Sequence, residues 1–198
     1  QAEVISDADF IVCLQRYEQH YGQDKRPPSG QEPSAEQLTA LRATMLHHLP
    51  PYADFAISGP HGNRTSKMLK LIGNRLRPDG TLSIVEMKGP SDIGKWVAAW
   101  RVFQVAMLML NAVDLGTLPE YEAKMDAYAV MYGPRVWPTQ YQADVRARSE
   151  RLGRIRLDIL EKDQTAALRG QPAILDPARP WNEVFNHLIN DDKWLSLI

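Results

Sequence analysis

The stretch Thr81-Leu82-Ser83-Ile84-Val85-Glu86-Met87-Lys88 decides how the chain is read. Apolar residues occupy both of its faces, as in a strand covered on both sides, and polar groups gather at one end. Arg77-Pro78-Asp79-Gly80 precedes it, with proline and glycine where a type I turn favours them, and Gly89-Pro90 closes it. Because side chains alternate along a strand, Glu86 and Lys88 project from the same face. Burying either charge alone is costly, so the pair needs each other, a metal or a further carboxylate.

Working outward, Tyr52-Ala53-Asp54-Phe55-Ala56-Ile57-Ser58 reads as a short strand. Laid antiparallel beside 81–88, it would bring Asp54 close enough to Glu86 for both to bind one divalent cation. Residues 61–77 read as a short helix carrying Met68, Leu69, Ile72 and Leu76, with an extended reading close behind. Ser91 or Asp92 caps a helix over about 93–113 that is apolar nearly all round, and Lys124–Tyr132 reads as another buried strand. Further out, Ser6 and Gly22 bracket a helix over 7–21, and Gln23–Pro33 is a loop. The capping-box pattern Ser34-Ala35-Glu36-Gln37 opens a helix that ends at Pro50-Pro51. Thr139 opens a further helix, and Trp181–Leu197 forms a closing one.

With 198 residues, 44% hydrophobic and 24% charged, the chain suits a single domain over 1–198. Twenty-three Lys and Arg against 24 Asp and Glu leave a net charge of −1, so any polyanion site must be a local patch. The single cysteine, Cys13, allows no internal disulfide and no four-thiolate zinc cage, which favours a reducing compartment. The longest apolar stretch, Val102–Val113, is too short to span a bilayer, and no secretory signal pattern opens the sequence. An intracellular protein, cytoplasmic or nuclear, with no membrane partner is expected.

Two carboxylates with water and phosphate oxygens make a hard oxygen site suited to Mg²⁺ or Mn²⁺. Such a site points to phosphodiester hydrolysis, the metal activating water and Lys88 orienting the nucleophile and offsetting charge on phosphorus. At this point the residues resemble the PD-(D/E)XK nuclease superfamily, which includes restriction endonucleases, RecB-like exonucleases and Rpn-type nucleases. The likeness rests on Asp54 in a strand, the triplet Glu86-Met87-Lys88 ending the next, then a helix and a strand.

The resemblance implies an α/β, restriction-endonuclease-like core over about 34–132: a mixed sheet of about four strands flanked by helices, with an N-terminal helix and a C-terminal extension over 133–198. It implies Asp54 and Glu86 as metal ligands, Lys88 as the catalytic lysine, and a Mg²⁺-dependent endonuclease or exonuclease acting on nucleic acid, with DNA preferred. Gln104 sits where RecB-like members carry a glutamine on the following helix, although Leu108 replaces their favoured tyrosine. Asp79, in the literal Pro-Asp dipeptide, competes for the first acid, but its turn position already accounts for it. Glu36 and His48, with His47 beside it, are further candidate ligands from the first core helix; a helix-dipole acid and helix-terminal histidines are the plainer accounts.

Arg64, Lys67, Lys70, Arg75 and Arg77, with no acid among them, form a candidate phosphate-tracking surface. Arg146, Arg148, Arg151, Arg154 and Arg156 form a second basic cluster that Glu150 and Asp158 partly offset. The stretch Gly59–Lys67 lacks the ending of a phosphate loop. Trp96, Trp100 and Phe103 belong to the core rather than to a base-stacking platform. A homodimer would suit double-strand cutting. The rival reading is a catalytically inactive nucleic-acid-binding or protein-interaction domain, in which Glu86 and Lys88 only pair.

Overall fold

Ser6 accepts the Asp9 amide at 3.2 Å and starts helix α1 (Asp7–Tyr21), which stops at Gly22 with φ 104°. Ser34 and Gln37 close the expected capping box, each side chain accepting from the other's backbone N–H at 3.2 and 2.8 Å, and α2 (Ala35–Leu46) follows. The computed structural model describes residues 4–55 and 70–191. Strands β1 (Lys70–Leu76) and β2 (Leu82–Lys88) form one antiparallel hairpin, and α3 (Ile93–Met109) begins where Asp92 accepts the Lys95 amide at 2.9 Å. Then come α4 (Thr117–Tyr132), a 3-10 turn at Pro134–Val136, α5 (Trp137–Arg146), a π turn at Ala147–Arg151, α6 (Leu152–Leu168) and α7 (Asn182–Asn190).

Helix α3 is the axis of the core, and α1, α2 and α4 pack on it. Trp96 and Trp100 stack at 5.0 Å, Tyr121 of α4 lies on Trp100 at 4.7 Å, and Phe55 meets both tryptophans edge-on. An almost uniformly apolar α3 is therefore enclosed by helices, rather than by a sheet on one side. Asn182 accepts from Asp114 N at 2.8 Å and from Thr117 Oγ1 at 2.6 Å, which ties the start of α4 to α7.

The chain is mostly helical, and the sheet among the described residues has two strands, which overturns the expected four-stranded, restriction-endonuclease-like core. Three local readings fail with it. Residues 52–55 are not in a strand, while 56–58 lie outside the described residues. Residues 124–132 belong to α4: Leu118, Tyr121, Met125 and Tyr128 keep a helical spacing that begins before the window taken for a strand, and they face the core. Residues 70–76 form β1 rather than a helix, and 61–69 are outside the described residues. Gly73 and Asn74 in mid-segment weaken a helix there, and the turn at 77–80 folds β1 directly onto β2.

Candidate nucleic-acid interface

The hairpin register pairs Lys70 with Lys88, Ile72 with Glu86, Asn74 with Ile84 and Leu76 with Leu82, so these positions share one face. That face is turned outward: Ile72 is 70% exposed, Ile84 is 78% exposed, and Glu86 and Lys88 are exposed too. On the opposite face Ser83, Val85 and Met87 are half-buried, and Met87 packs against the core. The two faces explain why the strand looked apolar on both sides. One covers the helical body, and the other presents isoleucine to solvent.

At the far end of the ribbon, Arg77 N donates to Thr81 O and Gly80 N donates to Arg77 O, a type I turn followed by glycine at φ 82°. Asp79 accepts from Thr81 N at 2.9 Å and from Thr81 Oγ1 at 2.7 Å, and these bonds hold its carboxyl below the usual carboxylate range. Asp79 thus serves the turn. Glu86 lies four residues along β2 from Leu82, about 13 Å of strand, so the structure does not bring these two acids together.

The near end of the ribbon is clamped to α5. Gly89 has φ 148°, and a Cβ there would fall 2.1 Å from Tyr141 Cε1. Trp137 Nε1 donates to Pro90 O at 2.7 Å. Burial, followed by the opposing pull of Arg148 and the push of Asp144, raises the Tyr141 hydroxyl well above its ordinary value.

Asp54 lies on the half-buried segment after α2, away from any described strand. With Glu36 it lines a cavity of about 330 Å³ whose walls include Tyr52, Phe55, Val102 and Phe103. Two of the expected ligands thus share a cavity, and Glu86 and Lys88 are not among its lining residues. Among the described residues no group of three or more His, Cys, Asp and Glu could hold a metal ion. Gln104 donates to Glu122 at 3.0 Å, beside the Arg101–Glu122 ion pair. His47 and His48 are exposed, and His48 sits at φ 58° just after α2. Arg64 and Lys67 lie outside the described residues.

The second basic cluster does not form a phosphate surface. Arg148 is fully buried: its guanidinium makes a 2.7 Å bond from Nη2 to Asp144 Oδ2, with Nε 3.0 and 3.1 Å from the two carboxylate oxygens. Trp96 Nε1 at 3.0 Å and Tyr121 Oη at 2.8 Å complete the Asp144 shell. Nη1 of Arg148 donates to the Ala53 carbonyl at 2.8 Å, and the guanidinium lies 4.0 Å from the Phe55 ring centre. Burial alone would lower its pKa, but Asp144 outweighs burial and holds the charge firmly in place. Arg151 pairs with Asp191 at 2.6 Å, and Arg156 stands over the Trp181 ring.

Sequence reasoning missed Asp144 altogether. Its signal was present: an acid four residues before an arginine, on a helix whose neighbours Gln140, Tyr141 and Ala147 turn inward. No protein-family model matches the chain, and neither a curated protein nor a solved structure matches it. Among the described residues no helix is long and apolar enough to cross a membrane.

Proposed function

We propose that the chain is a nucleic-acid-binding module whose contact surface is the outward face of the β1–β2 ribbon. The observation that carries this reading is a cation at each end of the ribbon: exposed Lys88 closes β2 in register with Lys70, and exposed Arg77 stands at the turn. The composition supports it: residues 64–88 hold six cations and two acids, while the rest of the chain holds seventeen cations and twenty-two acids. A basic segment in an otherwise acidic chain is the sequence footprint of polyanion binding. The lone, buried Cys13 suits a reducing, intracellular setting.

The test is fluorescence anisotropy of a labelled 20-base-pair duplex titrated with the chain over a series of salt concentrations. Affinity should fall linearly on a log–log plot, and Lys88→Ala and Arg77→Ala should each reduce the slope by about 1. Absence of binding at low salt, or slopes unmoved by both variants, overturns the reading.

A second reading, metal-dependent phosphodiester hydrolysis, is favoured by one observation, the shared cavity of Glu36 and Asp54. Adding Mg²⁺ or Mn²⁺ to the same labelled duplex tests it. Cleavage abolished by Asp54→Ala supports hydrolysis, and intact substrate rejects it.

A further inference from the structure

We infer that the cleft between the start of α3, the end of α4 and α5 takes an arginine side chain from a peptide segment of a partner protein. The inference goes beyond the ribbon reading and is independent of it. The cleft encloses about 180 Å³, and Ile93, Ala129, Pro134 and Trp137 are among its walls. That is below the roughly 300–1,000 Å³ of sites that enclose whole small molecules, and it suits a single side chain.

Two acceptors at different depths select the occupant. Gln140 lines the cleft and is fully buried, and its Oε1 has no hydrogen-bond partner among the described residues. The amide cannot be turned over, because Nε2 donates to the Met125 carbonyl at 2.7 Å and that carbonyl has no proton to give Oε1. A buried acceptor without a donor is costly, and an arriving N–H removes the cost. Asp126 stands exposed at the mouth and makes no hydrogen bond or ion pair among the described residues. It shares one face of α4 with Ala129, Val130 and Gly133, where the helix C-terminus adds partial negative charge. Asp92, across the cleft, is already engaged: it accepts from Lys95 N and Ser91 Oγ at 2.9 Å each and lies 3.5 Å from Lys95 Nζ.

A donor for the floor and a positive charge near the mouth describe a guanidinium. Its planar fork aims donors in several directions, it is more weakly hydrated than an ammonium, and it packs well on an aromatic wall such as Trp137. A lysine would set a compact, strongly hydrated charge against one neutral acceptor. Val130, 79% exposed at the mouth, and Met131, 69% exposed beside it, offer apolar surface to the residues that flank the arginine. This favours a peptide over a free guanidino compound.

The experiment titrates the full chain with acetyl-Leu-Arg-Leu-amide, its citrulline and lysine counterparts, and butylguanidine, following the Trp137 indole N–H by ¹⁵N NMR. The arginine peptide should bind tightest and shift that resonance to saturation. Asp126→Asn, at an exposed position, should weaken it about two- to fivefold. Gln140→Met should weaken it about tenfold or more, with thermal melting to show that the variant folds. Asp158→Asn, the same charge change at an exposed position on α6, should leave affinity unchanged. Citrulline or lysine binding as tightly as arginine overturns the choice of a guanidinium. Butylguanidine binding as tightly as the peptide assigns the cleft to a free guanidino compound and overturns the partner segment. No binding, or binding that leaves Trp137 unmoved or is indifferent to Asp126→Asn, overturns the inference and leaves the Gln140 oxygen to water. None of these outcomes bears on the DNA titration above.

Discussion

Arg148 joins Asp144, one helical turn before it, to the Ala53 carbonyl ninety-five residues away in sequence. It thereby holds the segment that carries Asp54 against the helical core. Every hydrogen bond in this group is charge-assisted, and all but the partly buried one to Ala53 are enclosed, so its members depend on one another. Removing one partner strands the other charge in an apolar interior. Arg148→Met and Asp144→Asn should each lower stability by about 3–5 kcal/mol in urea denaturation. The double variant Asp144→Leu, Arg148→Met should lose less than the sum of its parts. Losses that simply add would show the two residues to be energetically independent.

Gly89 is required by two separate constraints, its φ of 148° and the Tyr141 ring. Gly89→Ala must displace that ring and strain the backbone, which should cost about 2 kcal/mol or more. Combining it with Tyr141→Ala relieves the clash but not the φ strain. The Gly89→Ala step should therefore cost less in that background than in wild type, measured by thermal melting.

Acid should loosen the ribbon tip. Thr81 hydrogen bonds favour ionised Asp79, so its folded pKa lies below the ordinary aspartate value of about 3.9. The contribution is fully present above that ordinary value and is lost as pH falls through the lower, folded one. The Thr81 amide shift in NMR should titrate with a midpoint below that of an unstructured aspartate. In Asp79→Asn the titration should vanish. A midpoint at or above the ordinary value contradicts the assignment.

Ser34 caps α2 beside the cavity that Glu36 and Asp54 line. Ser34→Ala should cost about 1 kcal/mol, and Ser34→Asp should recover most of it. Chemical denaturation of the two variants checks this, and equal stabilities would show that the capping bond contributes little.

Much of the helical body was legible in the sequence because its signals are local. Ser6 with Gly22, and Ser34 with Gln37, mark helix ends by bonds to their own neighbours, and the structure places them as expected. The strand at 82–88 and the turn before it were legible for the same reason. What failed depended on distant partners. Whether Asp54 entered a strand beside Glu86 rested on pairing, and the described partner of β2 is β1. The apolar run at 127–132 suits a fully buried strand when read alone, and only the helical spacing from Leu118 and Tyr121 upstream decides for a helix. Asp144 drew no reading from the sequence because its tryptophan and tyrosine partners come from two other helices. Arg148 was read with its arginine neighbours, although its environment is set by Asp144 and Phe55.

The π turn at Ala147–Arg151 joins α5 and α6 into one continuous helical run over 137–168. A wide turn of this kind holds one residue more than the helix needs. Lengthening the chain there by one more residue, which the already widened turn could not absorb, would swing everything downstream by roughly 100°. Leu152, Ile155 and Ile159 would then leave the interior together, and Arg151 would turn away from Asp191. Nearby surface positions can be exchanged one by one, but the spacing between the buried arginine and the last long helix is a quantity the chain has no freedom to extend.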